Sequence, residues 1–288
     1  MNCELRTKAP LIRYSRFAIH NALFLGLVLA SGCREDETPA ARLTGPSSLV
    51  RLAHPESVPL TLEWTPLEPL KREGLRPTVF VHLIDRPNHV LRTFDHDLPG
   101  PWTVGVTRRD EFDLYQSALG PPLAAGSYTL TAGLYDPTLG YRWRLSTEGG
   151  DVTGHREYKV ASVQVPPGRS GDFRFRFSGN WSEVEPGTDR QVLQRRWLAG
   201  PGSLWIEPSP RPRTIRIEMR VAGEPGASAG IAATCAVSVH ELPAGARWFE
   251  ATPVPGQPCE IRLENLQAPS SPARWLGLEA LAWRSRPG

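Results

Sequence analysis

Hydrophobic and polar positions along this chain fall into short runs with a period of two. In Thr78-Val79-Phe80-Val81-His82-Leu83-Ile84 one parity is Val79, Val81 and Leu83, and the other is Phe80, His82 and Ile84. Both faces are mostly apolar, which predicts a central strand buried on two sides. In the segment 215–221, Ile215, Ile217, Met219 and Val221 alternate with Arg216, Glu218 and Arg220. That pattern predicts a half-buried strand with its charges turned outward. Further strands are predicted at Leu60–Trp64, Gly126–Tyr135, Lys159–Val165, Ala233–Glu241, Glu260–Asn265 and Leu276–Trp283. Asp136-Pro137-Thr138-Leu139-Gly140 predicts a hairpin turn, because Pro presets φ and Gly tolerates a positive one. No window keeps a helical apolar period, and 26 Gly and 29 Pro punctuate the chain. The predicted class is all-β: two tandem β-sandwich domains, Ig-like or jelly-roll-like, at 47–165 and 172–286. The Pro/Gly-rich segment 166–171 reads as a hinge between them. Each block is long enough to bury its own core.

The N-terminus follows a different pattern. Arg6, Lys8, Arg13 and Arg16 precede an unbroken apolar run from Ala22 to Leu29, and Ala30-Ser31-Gly32-Cys33 follows. Basic region, short apolar core and small residues are the order of a secretory signal peptide. The core is too short for a spanning helix, which needs about 20 apolar residues. With Cys33 at the break, the segment resembles the lipobox of bacterial lipoproteins. That resemblance implies removal of residues 1–32, lipidation of Cys33 and a lipid-held protein on the extracytoplasmic side of a cell envelope. Arg34, where an Asp would favour inner-membrane retention in Gram-negative families, favours the outer membrane. Residues 33–46 are then the lipidated Cys and a polar, flexible tether.

The signal also carries the net charge. The chain has 33 Lys+Arg and 30 Asp+Glu, and residues 1–32 hold four of those bases and one of those acids. The remainder has 29 of each, which gives no basic face for nucleic acid. Of the four Cys, Cys3 leaves with the signal and Cys33 is lipidated, so Cys235 and Cys259 remain as a disulfide pair in an exported protein.

A longer resemblance covers 47–165. Leu60-Thr61-Leu62-Glu63-Trp64, Val79-Phe80-Val81-His82-Leu83-Ile84-Asp85, Gly126-Ser127-Tyr128-Thr129-Leu130 and Gly133-Leu134-Tyr135-Asp136-Pro137 occur in that order. Trp102 stands some ten residues before Asp113-Leu114-Tyr115. The set resembles a β-sandwich module appended to bacterial membrane glycosyltransferases of the protein-mannosyltransferase type. It implies a fold and an extracytoplasmic setting, not the transferase activity. Residues 170–286, opening on Phe177-Ser178-Gly179-Asn180-Trp181, resemble jelly-roll, carbohydrate-binding-like domains more loosely.

Candidate chemistry is sparse. Asp85, Asp95, His96 and Asp97 are an oxygen-rich group without the spacing of a calcium loop. Glu183 and Glu185, two apart on an extended segment, face opposite ways and make a poor acid–base pair. There is no CxxC, HxH or HExxH run, and no Ser falls on the strand-to-helix elbow of a hydrolase, so no catalytic residue, metal or cofactor is predicted. The better candidate is a sugar platform of Trp181, Arg196, Trp197 and Trp205, since an indole stacks on a pyranose face while Arg bonds its hydroxyls. Two or more Trp exposed on one concave face would favour sugar binding; burial of all nine would favour a structural or protein-partner role. The expected function is therefore non-enzymatic: binding or scaffolding at the envelope, with a glycan or an envelope protein as partner. The alternative is an accessory or catalytic part in the assembly of envelope polysaccharide or glycoconjugate.

Overall fold

The computed structural model describes residues 37–46, 48–70, 75–167, 174–186, 194–210, 213–221, 228–243, 248–266, 274 and 276–285. The signal segment, Cys33, Trp275 and most of the 166–171 hinge lie outside the described residues. Every regular element among the described residues is a strand, so the chain is all-β as its period predicts. No helix there is long and apolar enough to cross a membrane.

The first block holds β1 (Ala41–Thr44), β2 (Val50–Arg51), β3 (Ser57–Pro66), β4 (Thr78–Arg86), β5 (His89–Thr93), β6 (His96–Asp97), β7 (Arg108–Tyr115), β8 (Gly126–Asp136), β9 (Tyr141–Arg142), β10 (Leu145–Ser146) and β11 (Tyr158–Val165). One sheet runs β10-β1-β3-β7 and the other β2-β11-β8-β4-β5. Between them lies a core that includes Trp64, Val79, Val81, Leu83, Leu114, Leu130 and Val163. β4 pairs with β8 on one side and with β5 and β6 on the other. Its central position explains why both of its parities are apolar. The 136–140 turn forms as predicted: Asp136 Oδ1 accepts the Thr138 and Leu139 amides at 2.8 and 3.2 Å.

Residues 41–44 are no tether: β1 pairs antiparallel with β3 and parallel with β10, and Ala41 and Leu43 are buried. Alternation of two apolar and two polar residues is enough for a short strand between two partners, even inside a polar segment.

The second block holds β12 (Phe175–Trp181), β13 (Glu185–Pro186), β14 (Gln194–Ile206), β15 (Arg213–Val221), β16 (Ser228–Ala233), β17 (Ala236–Val237), β18 (Glu241–Pro243), β19 (Trp248–Thr252), β20 (Cys259–Asn265) and β21 (Leu276–Ser285). They form one sheet in the order β17-β19-β15-β21-β14-β20-β16-β18. β14 turns the corner. Its first half pairs with β21 and its second half with β12 and β20. The change falls at Gly200-Pro201-Gly202, where a Cβ on Gly202 would stand 2.5 Å from Leu198 and 2.9 Å from the Trp181 indole nitrogen. Both halves enclose a core of Leu204, Ile206, Ile215, Ile217, Phe249, Ile261 and Leu281. The predicted strand Ala233–Glu241 instead falls across three short ones, broken at 234–235 and again at 238–240. Cys235 is bonded to Cys259, with Cα atoms 5.4 Å apart.

The two cores interlock. Leu119, from the loop after β7, joins the second core, while Ala280 and Ala282 of β21 join the first. Backbone bonds cross the boundary: Ala118 N to Leu281 O at 2.7 Å and Trp283 N to Pro55 O at 3.1 Å. His54 Nε2 lies 3.1 and 3.2 Å from the Ser117 and Gly120 carbonyls, bracing that loop.

Candidate functional site

Of the charged parity of β15, Arg220 is exposed as predicted, but Arg216 and Glu218 are covered. Arg216 and Glu218 lie against the first sandwich, where Asp113 of β7 is buried and accepts from both Arg216 and Arg284. The Tyr115 hydroxyl donates to Glu218 Oε2 at 2.9 Å. The Trp248 ring stands edge-on to Tyr115 at 5.4 Å, with the Arg216 guanidinium 3.7 Å from its centre. The outward charges predicted for 216 and 218 thus face a partner layer that the local pattern does not reveal. This cluster joins the blocks; its groups are bonded to one another.

Two His clusters sit in the first sandwich. His82, on the β4 parity away from the core, donates Nδ1–H to Glu157 Oε1 at 2.9 Å; Asp95 lies 3.8 Å from its Nε2. Thr131 Oγ1 donates to the same Glu157 oxygen at 2.6 Å, and Arg142 lies 3.3 Å from the other. Burial alone would raise the Glu157 pKa. The bonds from His82 and Thr131, with the charges of His82 and Arg142, outweigh it and hold the carboxyl at about 2. Burial does dominate at Asp95, whose pKa is pushed up despite His82 and the Val81 amide. Glu157 reaches His82 because Asp151 gathers the amides of Thr153, Gly154, Arg156 and Glu157 into a tight loop. This is a satisfied buried histidine.

In the second cluster, His96 Nε2 lies 2.8 Å from Asp110 and Nδ1 lies 2.8 Å from the Phe94 carbonyl. Trp64 donates its indole N–H to Asp110 at 3.0 Å. Burial opposes the imidazolium, but two acceptors on opposite ring nitrogens win, and the His96 pKa is raised. Asp85 is paired with His89, so the Asp85, Asp95, His96 and Asp97 group does not converge. Glu185 pairs with Arg274 at 2.8 Å, and Glu183 is fully exposed, 3.9 Å from Arg196.

The four predicted platform residues divide. Trp181 packs on Phe177 at the rim of the second core and donates its N–H to the Ser203 carbonyl at 3.2 Å. Arg196 lies over the same Phe177 ring at 4.4 Å. Trp197 pairs with Arg195 and abuts Gly277 on β21. Trp205 is different. Leu204 and Ile206 point into the core, so Trp205 points to the outer face of β14. It is half-buried, with the Arg176 guanidinium 5.2 Å from its ring centre. Across the register stands Glu260, which accepts from Ser203 at 2.9 Å and from Arg262 at 3.0 and 3.2 Å. Those bonds, Arg262 foremost, lower the Glu260 pKa. Arg176, Ser203, Glu260 and Arg262 had no signal in the sequence; only cross-strand register brings them beside Trp205. One flat ring among fixed donors and acceptors can stack on a sugar and bond its hydroxyls.

No protein family and no curated protein sequence matches the chain. Among solved structures it is similar to the secreted serine protease VesC from Vibrio cholerae, at 9% identity and a TM-score of 0.27, over 84% of this chain and 50% of that one. It is also similar to a calcium binding mutant of Bacteroides uniformis beta-glucuronidase 2, at 12% identity and a TM-score of 0.26, over 88% of this chain and 31% of that one. The chain thus spans half or less of each, and overlaps this loose carry no argument about its chemistry.

Proposed function

We propose that the protein is a lipid-anchored envelope protein that binds glycan through the outer face of β12, β14 and β20, without catalysing a reaction. The observation that carries the reading is Trp205, half-buried on that face beside Arg176, Ser203, Glu260 and Arg262. An indole in this setting supplies the apolar ring face, and the neighbouring charges supply directional bonds to hydroxyls. The anchor rests on the N-terminal order of basic residues, apolar core and Cys33. Trp181 and Trp197 do not belong to the site: one packs at the core rim, and the other sits by β21. A glycan array probed with the full chain in detergent tests the proposal. Retention of a structurally related group of glycans supports it. Absence of retention, with an envelope protein co-purifying instead, replaces it with a scaffolding role.

A further inference from the structure

The first sandwich carries a separate cleft of about 870 Å³ where the chain crosses from β1 to β2. Its walls are Arg42 to Pro46 with Ser48 and Leu49, the 146–149 turn after β10, and β11 from Lys159 to Ser162. Paired strands hold these walls in place: β1 between β3 and β10, and β11 between β8 and β2. Two glycines set the close approach at the floor. A Cβ on Gly149 would stand 1.7 Å from the Lys159 carbonyl oxygen, and one on Gly45 would stand 2.5 Å from that of Val160. Neither contact tolerates a side chain, so the cleft is built by the backbone.

Its lining is unlike an apolar drug-type pocket. Ser48, Ser146 and Ser162 bring hydroxyls, and Arg42, Lys159 and Glu148 bring charge. Among the described residues, no ion pair is formed by Arg42, Lys159 or Glu148, so the lining keeps a net positive charge. Elsewhere in the molecule Arg216 and Arg284 share Asp113, and Arg195 and Arg220 share Glu279. Lys159 is also one of only three Lys in the chain. Leu49, 66% exposed, adds an apolar rim. The volume falls within the roughly 300–1,000 Å³ of small-molecule sites, and an inorganic anion would fill only a corner of it.

We infer that this cleft binds an acidic saccharide, with Arg42 and Lys159 on its carboxylate, the serine hydroxyls on its ring hydroxyls, and Leu49 against a C–H face. The inference does not rest on the Trp205 face. Calorimetric titration of the full chain in detergent with a digalacturonate, a neutral disaccharide and inorganic phosphate tests it. Digalacturonate should bind at least 10-fold more tightly than either of the others. Arg42→Gln with Lys159→Gln should weaken it at least 10-fold at an unchanged melting temperature, and Trp205→Ala should leave it unchanged. If the double variant does not fold, Lys159→Gln alone and the cleft-filling Ser162→Trp serve the same purpose, each with an expected loss. Equal binding of the neutral sugar or of phosphate, no binding of any probe, or undiminished affinity in the folded variants would overturn the inference.

Discussion

The Tyr115 hydroxyl donates to a Glu218 carboxylate oxygen at 2.9 Å, joining β7 of one sandwich to β15 of the other. Both side chains are buried. The bond belongs to a junction in which Asp113 holds Arg216 and Arg284, and Trp248 packs on the Tyr115 ring. A bond to a buried charge contributes about 1.5–3 kcal/mol. Tyr115→Phe keeps the ring contacts with Phe94 and Trp248 and should cost that much. Asp113→Ala strips the shared acceptor from two guanidiniums and should cost more, about 3–5 kcal/mol. Urea denaturation of both variants checks the order. A smaller loss for Asp113→Ala than for Tyr115→Phe would show that the Arg pair is solvated rather than clamped.

Stability should peak between about pH 4.5 and 6.5. Glu157 has a depressed folded pKa, so its contribution is complete above its ordinary 4.5 and is lost as pH falls toward about 2. The full shift is equivalent to at most about 3 kcal/mol. His96 has a raised folded pKa, so its contribution is complete below its ordinary 6.5 and is lost as pH rises through the folded value. Thermal melts from pH 2 to 9 should show both limbs. Glu157→Gln should flatten only the acid limb and His96→Gln only the alkaline one; an acid limb unchanged by Glu157→Gln would refute the assignment.

Loss of the Cys235–Cys259 bond should cost about 3–4 kcal/mol, the chain-entropy value for a loop of this size. Cys235→Ala with Cys259→Ala avoids burying a hydroxyl at position 259, which is fully enclosed. Equal denaturation midpoints for the double variant and the oxidised protein would contradict the expected stabilisation.

How much of this was legible depended on distance along the chain. The period of two in 78–84 and 215–221 gave strands and faces, because side-chain parity is local. What covers a face is not local. Arg216 and Glu218 read as solvent-facing charges, yet the first sandwich lies over them. The same limit hid the buried clusters: His82 and Glu157 are 75 residues apart, and Tyr115 and Glu218 are 103 apart. β19 was passed over because adjacent Trp248 and Phe249 blur the alternation within Trp248–Thr252. Trp181, Trp197 and Trp205 looked like one set by composition, but the bend of β14 sends them to different surroundings. The disulfide was legible because only two Cys remained.

Cys33→Ala should leave the precursor unlipidated and move the protein from the detergent phase to the aqueous phase on phase separation. Acyl chains contribute about 0.8 kcal/mol per buried CH₂, so the lipidated form should stay with detergent. Intact mass of the wild type should show an acylated N-terminus at Cys33; an unmodified N-terminus at another residue would rule the anchor out.

On the proposed function, glycan binding belongs to the outer face of β14 and not to the core rim. It is tested most directly by titrating the glycan retained on the array against Trp205→Ala and Trp181→Ala. Losing one sugar-stacking ring is expected to cost affinity at least 10-fold, about 1.4 kcal/mol. Trp205→Ala should show that loss at an unchanged melting temperature. Trp181→Ala should lower the melting temperature through its core contacts while affinity, measured below the transition, stays within about twofold. Full affinity in Trp205→Ala, or a loss confined to Trp181→Ala, would contradict the claim.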